Sequence, residues 1–291
     1  MSTFVGLNQC AEFDIAGTGP FVAFDEVTGG RIGSPDNEPA ETDGIGGQSL
    51  KVRPMVEPAG NATTVVQSIG LISCIKPAAV GNLPTLIKKI QGGGIGDEHA
   101  ANLQTDCYLS SLKLSCEVGG LLLATYEWLA LDEESVAITS PAAKQTNSPV
   151  AWHTGSVFID GAAYKCIGWE VTATTGIAQK TSLDAKTAGS QRMPEWMEPG
   201  PFQVSLSARF RLPLGIDLRA DRPDAIGFKF TGQDAGATPK TFTLDLTGGD
   251  KLDPGASAAE LVASADEAVW SLTAKSTKND LAVWACTFAA S

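Results

Sequence analysis

The sequence has only two histidines and none of the short motifs that usually accompany catalysis. No carboxylate lies at a spacing from His99 or His153 that would indicate a catalytic pair. No G-x-S-x-G stretch is present that would position a nucleophilic serine. The glycine run GGGIGDE at 92–98 lacks the G-K-[ST] ending of a phosphate-binding loop, so we interpret it as a turn. These absences argue against an enzyme.

The sequence also gives no indication of a membrane span, a metal site or a cofactor site. No run of about 18 apolar residues is present, and the first residues have no basic start followed by an apolar segment, which predicts no secretion signal. The six cysteines lack C-x-x-C spacing, so we expect free, buried thiols. Asp132, Glu133 and Glu134 lack the calcium-loop pattern and predict a solvated turn. We predict no cofactor, no metal and no membrane partner.

The chain is short of positive charge. It has 21 basic and 33 acidic residues, a net charge of −12, and its lysines and arginines are not clustered. Specific binding to nucleic acid needs clustered cations, so the sequence argues against it. The negative charge has two interpretations. It keeps an abundant protein soluble, or it belongs to a surface past which DNA slides without sticking.

Residues 109–131, LSSLKLSCEVGGLLLATYEWLAL, show the clearest strand pattern. Residues 112–116 alternate apolar and polar side chains, which is typical of a half-buried strand. Gly119 and Gly120 predict a tight turn, and the return segment carries a tyrosine and a tryptophan on one face. The sequence therefore contains a β-hairpin with one face for a core.

Other segments indicate a mainly β fold, since 31 glycines and 16 prolines suit many strands joined by turns. The segment 82–94, NLPTLIKKIQGGG, predicts a short α-helix capped by Asn82. A second short helix is predicted near 258–264. Further strands are predicted where β-branched and aromatic residues are frequent, at 10–17, 21–27, 50–56, 63–75, 156–161, 164–174, 202–212, 228–230, 240–248, 268–276 and 281–290.

Two long polar segments interrupt this pattern. Residues 28–48 consist mostly of turn-forming and acidic residues and predict a loop, either disordered or ordered by a partner. Residues 176–201 form a polar connector. Near its end, Trp196 lies between Met193 and Met197 and is flanked by prolines. We predict this apolar cluster as an inter-subunit contact, with a local cap over the core as the alternative.

The order of the segments carries more information than any single motif. NLPTLIKKI precedes YLSSLKLSCEVGGLLLATYEWLAL, and GSVFIDGAAYKCIGWEVTATTGI follows. A polar connector ending in proline then leads to FQVSLSARFRL and a C-terminal β region. This order resembles the major tail tube proteins of long-tailed bacteriophages, from about Asn82 to Ser291. Within the resemblance, segment 28–56 corresponds to the family's long inter-ring loop or hairpin.

The resemblance implies a β-sandwich with a flanking helix, in a single tail tube domain over 1–291. Subunits would form hexameric rings whose inner sheets join into one barrel, and the rings would stack into a conduit for genome delivery. The implied partners are other copies of the chain, a tape measure protein, and tail terminator and initiator proteins. The implied location is the virion tail, assembled in the host cytoplasm, with DNA passing through an acidic lumen without specific binding.

The acidic residues of the predicted strands and their turns are the candidates for facing that lumen. A register error of one residue moves every side chain to the other face, so alternation alone does not choose among them. The candidates are Glu117, Glu127, Glu170 and Asp245.

Two alternative functions stay open. A capsid decoration or adhesion β-module would be a discrete monomer or trimer that does not need segment 28–56 to polymerise. The tube protein of a contractile injection system would form the same ring and pair with a sheath.

Overall fold

The structure is a computed structural model that describes residues 9–33, 40–43, 49–52, 57–95, 101–181, 193–211, 225–254, 258–261 and 268–290. These residues contain 22 β-strands: β1 Gln9–Asp14, β2 Val22–Ala23, β3 Val27–Ile32, β4 Ala40–Asp43, β5 Ser49–Val52, β6 Ala59–Val65, β7 Ile87–Gly94, β8 Ala101–Glu117, β9 Leu123–Leu129, β10 Asp132–Val136, β11 Ser156–Ile159, β12 Ala162–Tyr164, β13 Cys166–Thr174, β14 Ala178–Lys180, β15 Trp196–Glu198, β16 Gln203–Arg211, β17 Phe228–Gln233, β18 Lys240–Leu246, β19 Leu252–Pro254, β20 Ala258–Leu261, β21 Ala268–Ser276 and β22 Ala285–Ala290.

The mainly β fold predicted from the sequence is confirmed, but its short α-helices are not. The helices of the described residues are three short 3-10 turns, at Leu71–Cys74, Trp152–Thr154 and Leu281–Val283. None of the described helices is long and apolar enough to cross a membrane.

The helix predicted at 82–94 is wrong, because residues 87–94 form strand β7. The spacing of the apolar residues suits a helix. However, β7 is paired with β1 along one edge and with β8 along the other, and this pairing outweighs local preference. The turn predicted at the start of GGGIGDE is wrong for the same reason, since Gly92–Gly94 belong to the strand.

Three further predictions change in detail. Residues 258–261 form strand β20 instead of a helix, and 262–264 lie outside the described residues. The strand predicted at 63–75 ends early, and a 3-10 turn takes its second half. Asp132, Glu133 and Glu134 do not form a turn but begin β10, which pairs with the first part of β8.

The loop predicted at 28–56 is only partly a loop. Strand β3 occupies its beginning and pairs with β6. Strands β4 and β5 form a separate two-stranded hairpin, which confirms the first part of the strand predicted at 50–56. Residues 34–39, 44–48 and 53–56 lie outside the described residues.

Two sheets carry the fold. In the larger sheet, β3, β6, β9, β8, β13, β16 and β21 follow one another through antiparallel pairings. Strands β19 and β20 pair with the far side of β21. Strand β8 is 17 residues long, and its first part extends the sheet through β7 to β1. The smaller sheet has the order β12-β11-β17-β18-β22.

The two sheets pack face to face around one hydrophobic core. The indole of Trp169 on β13 lies 5.6 Å from the ring of Phe228 and 4.7 Å from that of Phe230, both on β17. The buried cluster contains side chains from both sheets, including Leu114 and Leu244. The molecule is therefore a β-sandwich, and each sheet has one inner face and one outer face.

The cysteines belong to this interior. All six are free, as predicted, but the predicted burial holds only for Cys74, Cys107 and Cys116, while Cys10, Cys166 and Cys286 are partly buried. Burial raises the pKa of the Cys74 and Cys116 thiols to about 11, so both stay protonated at neutral pH. These two side chains act as small apolar groups.

Candidate functional site

The outer face of the larger sheet is a continuous polar surface, which we call the polar face. On β8, Leu112 and Leu114 point into the core, so Ser111, Lys113 and Ser115 lie on the opposite side. The same alternation and the strand register define the other members. The polar members of the face are Arg31, Asn61, Thr63, Ser111, Lys113, Ser115, Glu117, Thr125, Glu127, Glu170, Thr172, Thr174, Gln203, Ser205, Ser207, Arg209, Arg211, Asp253, Ser271, Thr273 and Lys275, and the apolar Leu123, Leu129 and Val269 lie on the same side.

Strand register aligns hydroxyl groups across this face. Thr172 on β13 lies opposite Lys113 on β8 and opposite Ser205 on β16. The hydroxyls of Thr63 and Thr125 on β6 and β9 are 3.0 Å apart and hydrogen-bonded. Such cross-strand pairs stabilise a sheet and hold its side chains in place. The result is a wide surface of short polar side chains.

Two ion pairs join strands across the polar face. Lys113 Nζ lies 3.0 Å from Glu170 Oε2, and Arg209 Nη2 donates to Glu117 Oε1 at 3.0 Å. These side chains are between 42% and 72% exposed, so the pairs contribute little to stability. Their main effect is to place a carboxylate beside each of these two cations.

The polar face is close to charge balance, although the whole chain has a net charge of −12. The polar members named above supply four carboxylates and five cations, and the register places one more acidic residue, Glu260 of β20, on the same side of the sheet. The carboxylates are Glu117, Glu127, Glu170 and Asp253, and the cations are Arg31, Lys113, Arg209, Arg211 and Lys275. The acidic excess of the chain therefore does not come from these residues.

The structure brings together three of the four predicted lumen-facing acids. Glu117, Glu127 and Glu170 lie on the polar face. Asp245 lies on the outer face of the smaller sheet, on the other side of the sandwich, because its neighbours Leu244 and Leu246 fill the core. One surface cannot include all four.

Asp245 has a local role in its own sheet. Partial burial alone would raise the pKa of its carboxyl group. The hydrogen bonds from Thr247 and the Lys229 ammonium outweigh that effect and lower the pKa below its ordinary value. The carboxylate therefore caps the turn after β18 and pairs with the neighbouring strand β17.

The predicted contact cluster lies in a small hairpin formed by β14 and β15 within the polar connector. Trp196 is 46% exposed, Met197 is buried, and Met193 is half-buried. Gln179 of β14 fixes the hairpin to the ends of β6 and β9 by donating to the carbonyl oxygens of Pro58 at 2.9 Å and Ala130 at 2.7 Å. Trp196 is therefore the member of the cluster with a large exposed apolar surface.

Buried carboxylates near the β1 edge were not identified from the sequence. Asp25 accepts hydrogen bonds from the backbone N–H groups of Gln67 at 2.8 Å and Ser68 at 2.9 Å, while its Oδ1 is buried and has no hydrogen-bond partner among the described residues. Desolvation by burial raises the pKa of Asp25 despite those hydrogen bonds. Glu12 accepts from Gln91 and from the backbone of Ala142. Only tertiary structure reveals these groups, because each partner is distant in sequence.

The described part of the chain contains no group of three or more histidine, cysteine or acidic side chains placed to hold a metal ion. His153 lies at the surface, with its ring 6.1 Å from that of Trp152, and His99 lies outside the described residues. What the fold and the surface define is a β-sandwich protein with one wide, charge-balanced polar face.

Comparison with known proteins gives the family. The model of the family described as phage tail tube protein matches residues 60–269, which is more than half of the chain. The chain therefore belongs to the phage tail tube protein family, and it is a structural protein of the virion tail. Membership implies self-assembly into a tube and contact with other tail proteins. No curated protein matches the sequence.

Proposed function

We propose that this chain forms the hexameric rings of a long-tailed phage's tail tube, and that the polar face lines the channel through which the genome is delivered. The observation that carries the proposal is the wide outer sheet face that holds many hydroxyls and paired charges but few apolar groups. A surface in permanent contact with another protein would be more apolar at its centre.

The open edges of the larger sheet support ring formation. Among the described residues, β3 pairs only with β6 and β20 pairs only with β21, while β19 pairs with β21 and is also bridged through Leu252 to Ile226. Exposed strand edges are normally covered, and joining them between subunits removes them. In the proposed ring, the β3 edge of one subunit meets the β19 and β20 edge of the next. The whole chain acts as one tail tube domain.

The charge balance of the polar face changes the expected mechanism of DNA passage. Lysine and arginine side chains that already face a carboxylate have little to gain from a phosphate group. The lumen therefore avoids trapping DNA through the pairing of Lys113 with Glu170 and of Arg209 with Glu117, and not through a net negative charge of its wall.

The hairpin of β4 and β5 is proposed as the inter-ring arm. It pairs with neither main sheet within the described residues. Ile32 lies opposite Gly60, so the chain leaves the sheet after β3 and returns at the same place before β6. The tube would end on tail terminator and initiator proteins and would enclose a tape measure protein during assembly.

Negative-stain electron microscopy of the purified protein at rising concentration tests this function. Hollow rings and tubes of uniform width are expected. Discrete particles without a channel at every concentration would favour a decoration or adhesion module.

A further inference from the structure

Among the tryptophans whose side chains the structure describes, two are exposed, and they lie at opposite ends of strands β9 and β13. Trp152 is 42% exposed and Trp196 is 46% exposed, whereas Trp128, Trp169 and Trp284 are buried in the core. An exposed indole leaves a large apolar area in water, and tryptophan is enriched among the residues that dominate binding energy at interfaces.

Trp152 belongs to an apolar group at one end of the sandwich, which we call the turn-end patch. It consists of Trp152 with Val118 and Leu121, which are 52% and 38% exposed. The backbone N–H of Trp152 donates to the carbonyl of Gly120 at 3.1 Å, and Leu121 pairs with Ala151. The turn between β8 and β9 therefore holds the patch at the rim of the polar face.

Trp196 lies at the other end of the same strands. Strand β13 runs antiparallel to β8, from Gly168 opposite Glu117 at the turn end to Thr174 opposite Ser111. The six residue-to-residue steps from Ser111 to Glu117 cover about 20 Å at the usual rise of a strand. The hairpin that carries Trp196 follows directly after Thr174. The two exposed indoles are thus separated along the strand direction.

We infer that the turn-end patch of one subunit binds the Trp196 hairpin of a second copy of this chain in the next ring. This inference rests on the proposed function. Identical subunits that stack in one direction must use two different surfaces at opposite ends, because a head-to-tail contact that does not close grows a filament. Six equal contacts per ring act together, so each one needs only a small apolar area.

Two single variants each disable one of the two surfaces that form this contact. Trp152→Glu disables the turn-end patch and keeps the Trp196 hairpin, and Trp196→Glu does the reverse. Both positions are exposed, so the fold is expected to survive, which circular dichroism and thermal unfolding check. Val80→Glu is the matched control, because Val80 is 62% exposed and belongs to neither patch.

The expected result is that each tryptophan variant forms rings but no long tubes, while Val80→Glu forms tubes like the wild type. Rings of the two variants, purified separately and then mixed, should form pairs of rings that do not grow further. One intact patch and one intact hairpin meet in such a pair, and both outer ends are disabled.

Three outcomes would overturn the contact: long tubes from either tryptophan variant, loss of the rings themselves, or mixed rings that fail to pair. Loss of the rings would mean that the indoles bind laterally within a ring. If the wild-type chain formed neither rings nor tubes, the proposed function would fail first, and the inference would fall with it.

Discussion

Lys113 Nζ and Glu170 Oε2 lie 3.0 Å apart across strands β8 and β13, at the centre of the outer face of the larger sheet. An exposed ion pair of this kind adds little stability. Its consequence for function is electrostatic, because it satisfies a lysine on a surface that the proposed function places next to DNA. Arg209 and Glu117 repeat the arrangement on the neighbouring part of the face.

Removing the two carboxylates should create a DNA-binding surface. In the double variant Glu117→Gln, Glu170→Gln, Lys113 and Arg209 lose their partners and become available to phosphate. We expect the affinity of unassembled subunits for duplex DNA at low ionic strength to rise by at least about tenfold, or ~1.4 kcal/mol. Fluorescence anisotropy with a labelled duplex measures it, and the gain should disappear as salt is added.

The control for this experiment makes the same charge change elsewhere. Glu134→Gln, Asp250→Asn removes two exposed carboxylates that are not members of the polar face and that form no ion pair within the described residues. Equal DNA affinity for the two double variants would mean that net charge alone matters and that the ion pairs of the polar face have no special role.

Gly60 on β6 should not accept a side chain. A Cβ atom at this position would collide with the indole ring of Trp128, which is itself hydrogen-bonded to Gln104 at 2.6 Å. We expect Gly60→Ala to lower the free energy of unfolding by about 1–3 kcal/mol through overpacking. Gly29→Ala on the neighbouring strand β3 is the control, because its Cβ would meet open space. Urea unfolding compares them, and equal stability would contradict the packing of Trp128 on β6.

Asp25 should make stability depend on pH. Its pKa is raised in the folded state, so folding favours the protonated carboxyl group. The stabilisation that the protonated Asp25 carboxyl group gives to the folded state is fully present below the ordinary Asp pKa of about 3.9. It is lost as the pH rises through the pKa that Asp25 has in the folded state. Relative to Asp25→Asn, the wild type should therefore lose unfolding free energy as the pH rises from about 4. A difference between the two proteins that is constant with pH in urea unfolding would refute this account.

Removing the β4–β5 hairpin should leave the subunit folded but prevent the rings from stacking. Because Ile32 and Gly60 are directly opposed, a short glycine-containing turn can replace residues 34–56 without disturbing β3 or β6. We expect folded rings that form no long tubes, as judged by sedimentation. A glycine-serine segment of equal length should fail in the same way. Normal tubes from either variant would exclude the hairpin as an inter-ring arm.

Sequence patterning predicted the hairpin of β8 and β9 correctly, because Leu112, Leu114 and Cys116 alternate with polar residues over one well-formed strand. It failed at 82–94, where apolar residues at helical spacing lie in a strand that is paired on both edges. Local pattern does not report such pairing, since the partners of β7 come from distant parts of the chain.

The candidate site was predictable only in part. Glu117, Glu127 and Glu170 were candidates because they are acidic and lie in predicted strands or their turns, and the structure places all three on the polar face. Asp245 has the same local pattern but belongs to the other sheet, which periodicity does not distinguish. The pairing of Lys113 with Glu170 depends on the register of β8 against β13 and follows only from the assembled sheet.

A cryo-electron microscopy reconstruction of the assembled tube tests the central claim most directly. The account predicts that Lys113, Glu170 and the hydroxyls around them line the channel, with β3 of each subunit next to β19 and β20 of its neighbour. A tube in which the polar face points outward, or is buried between subunits while another surface lines the channel, would contradict it.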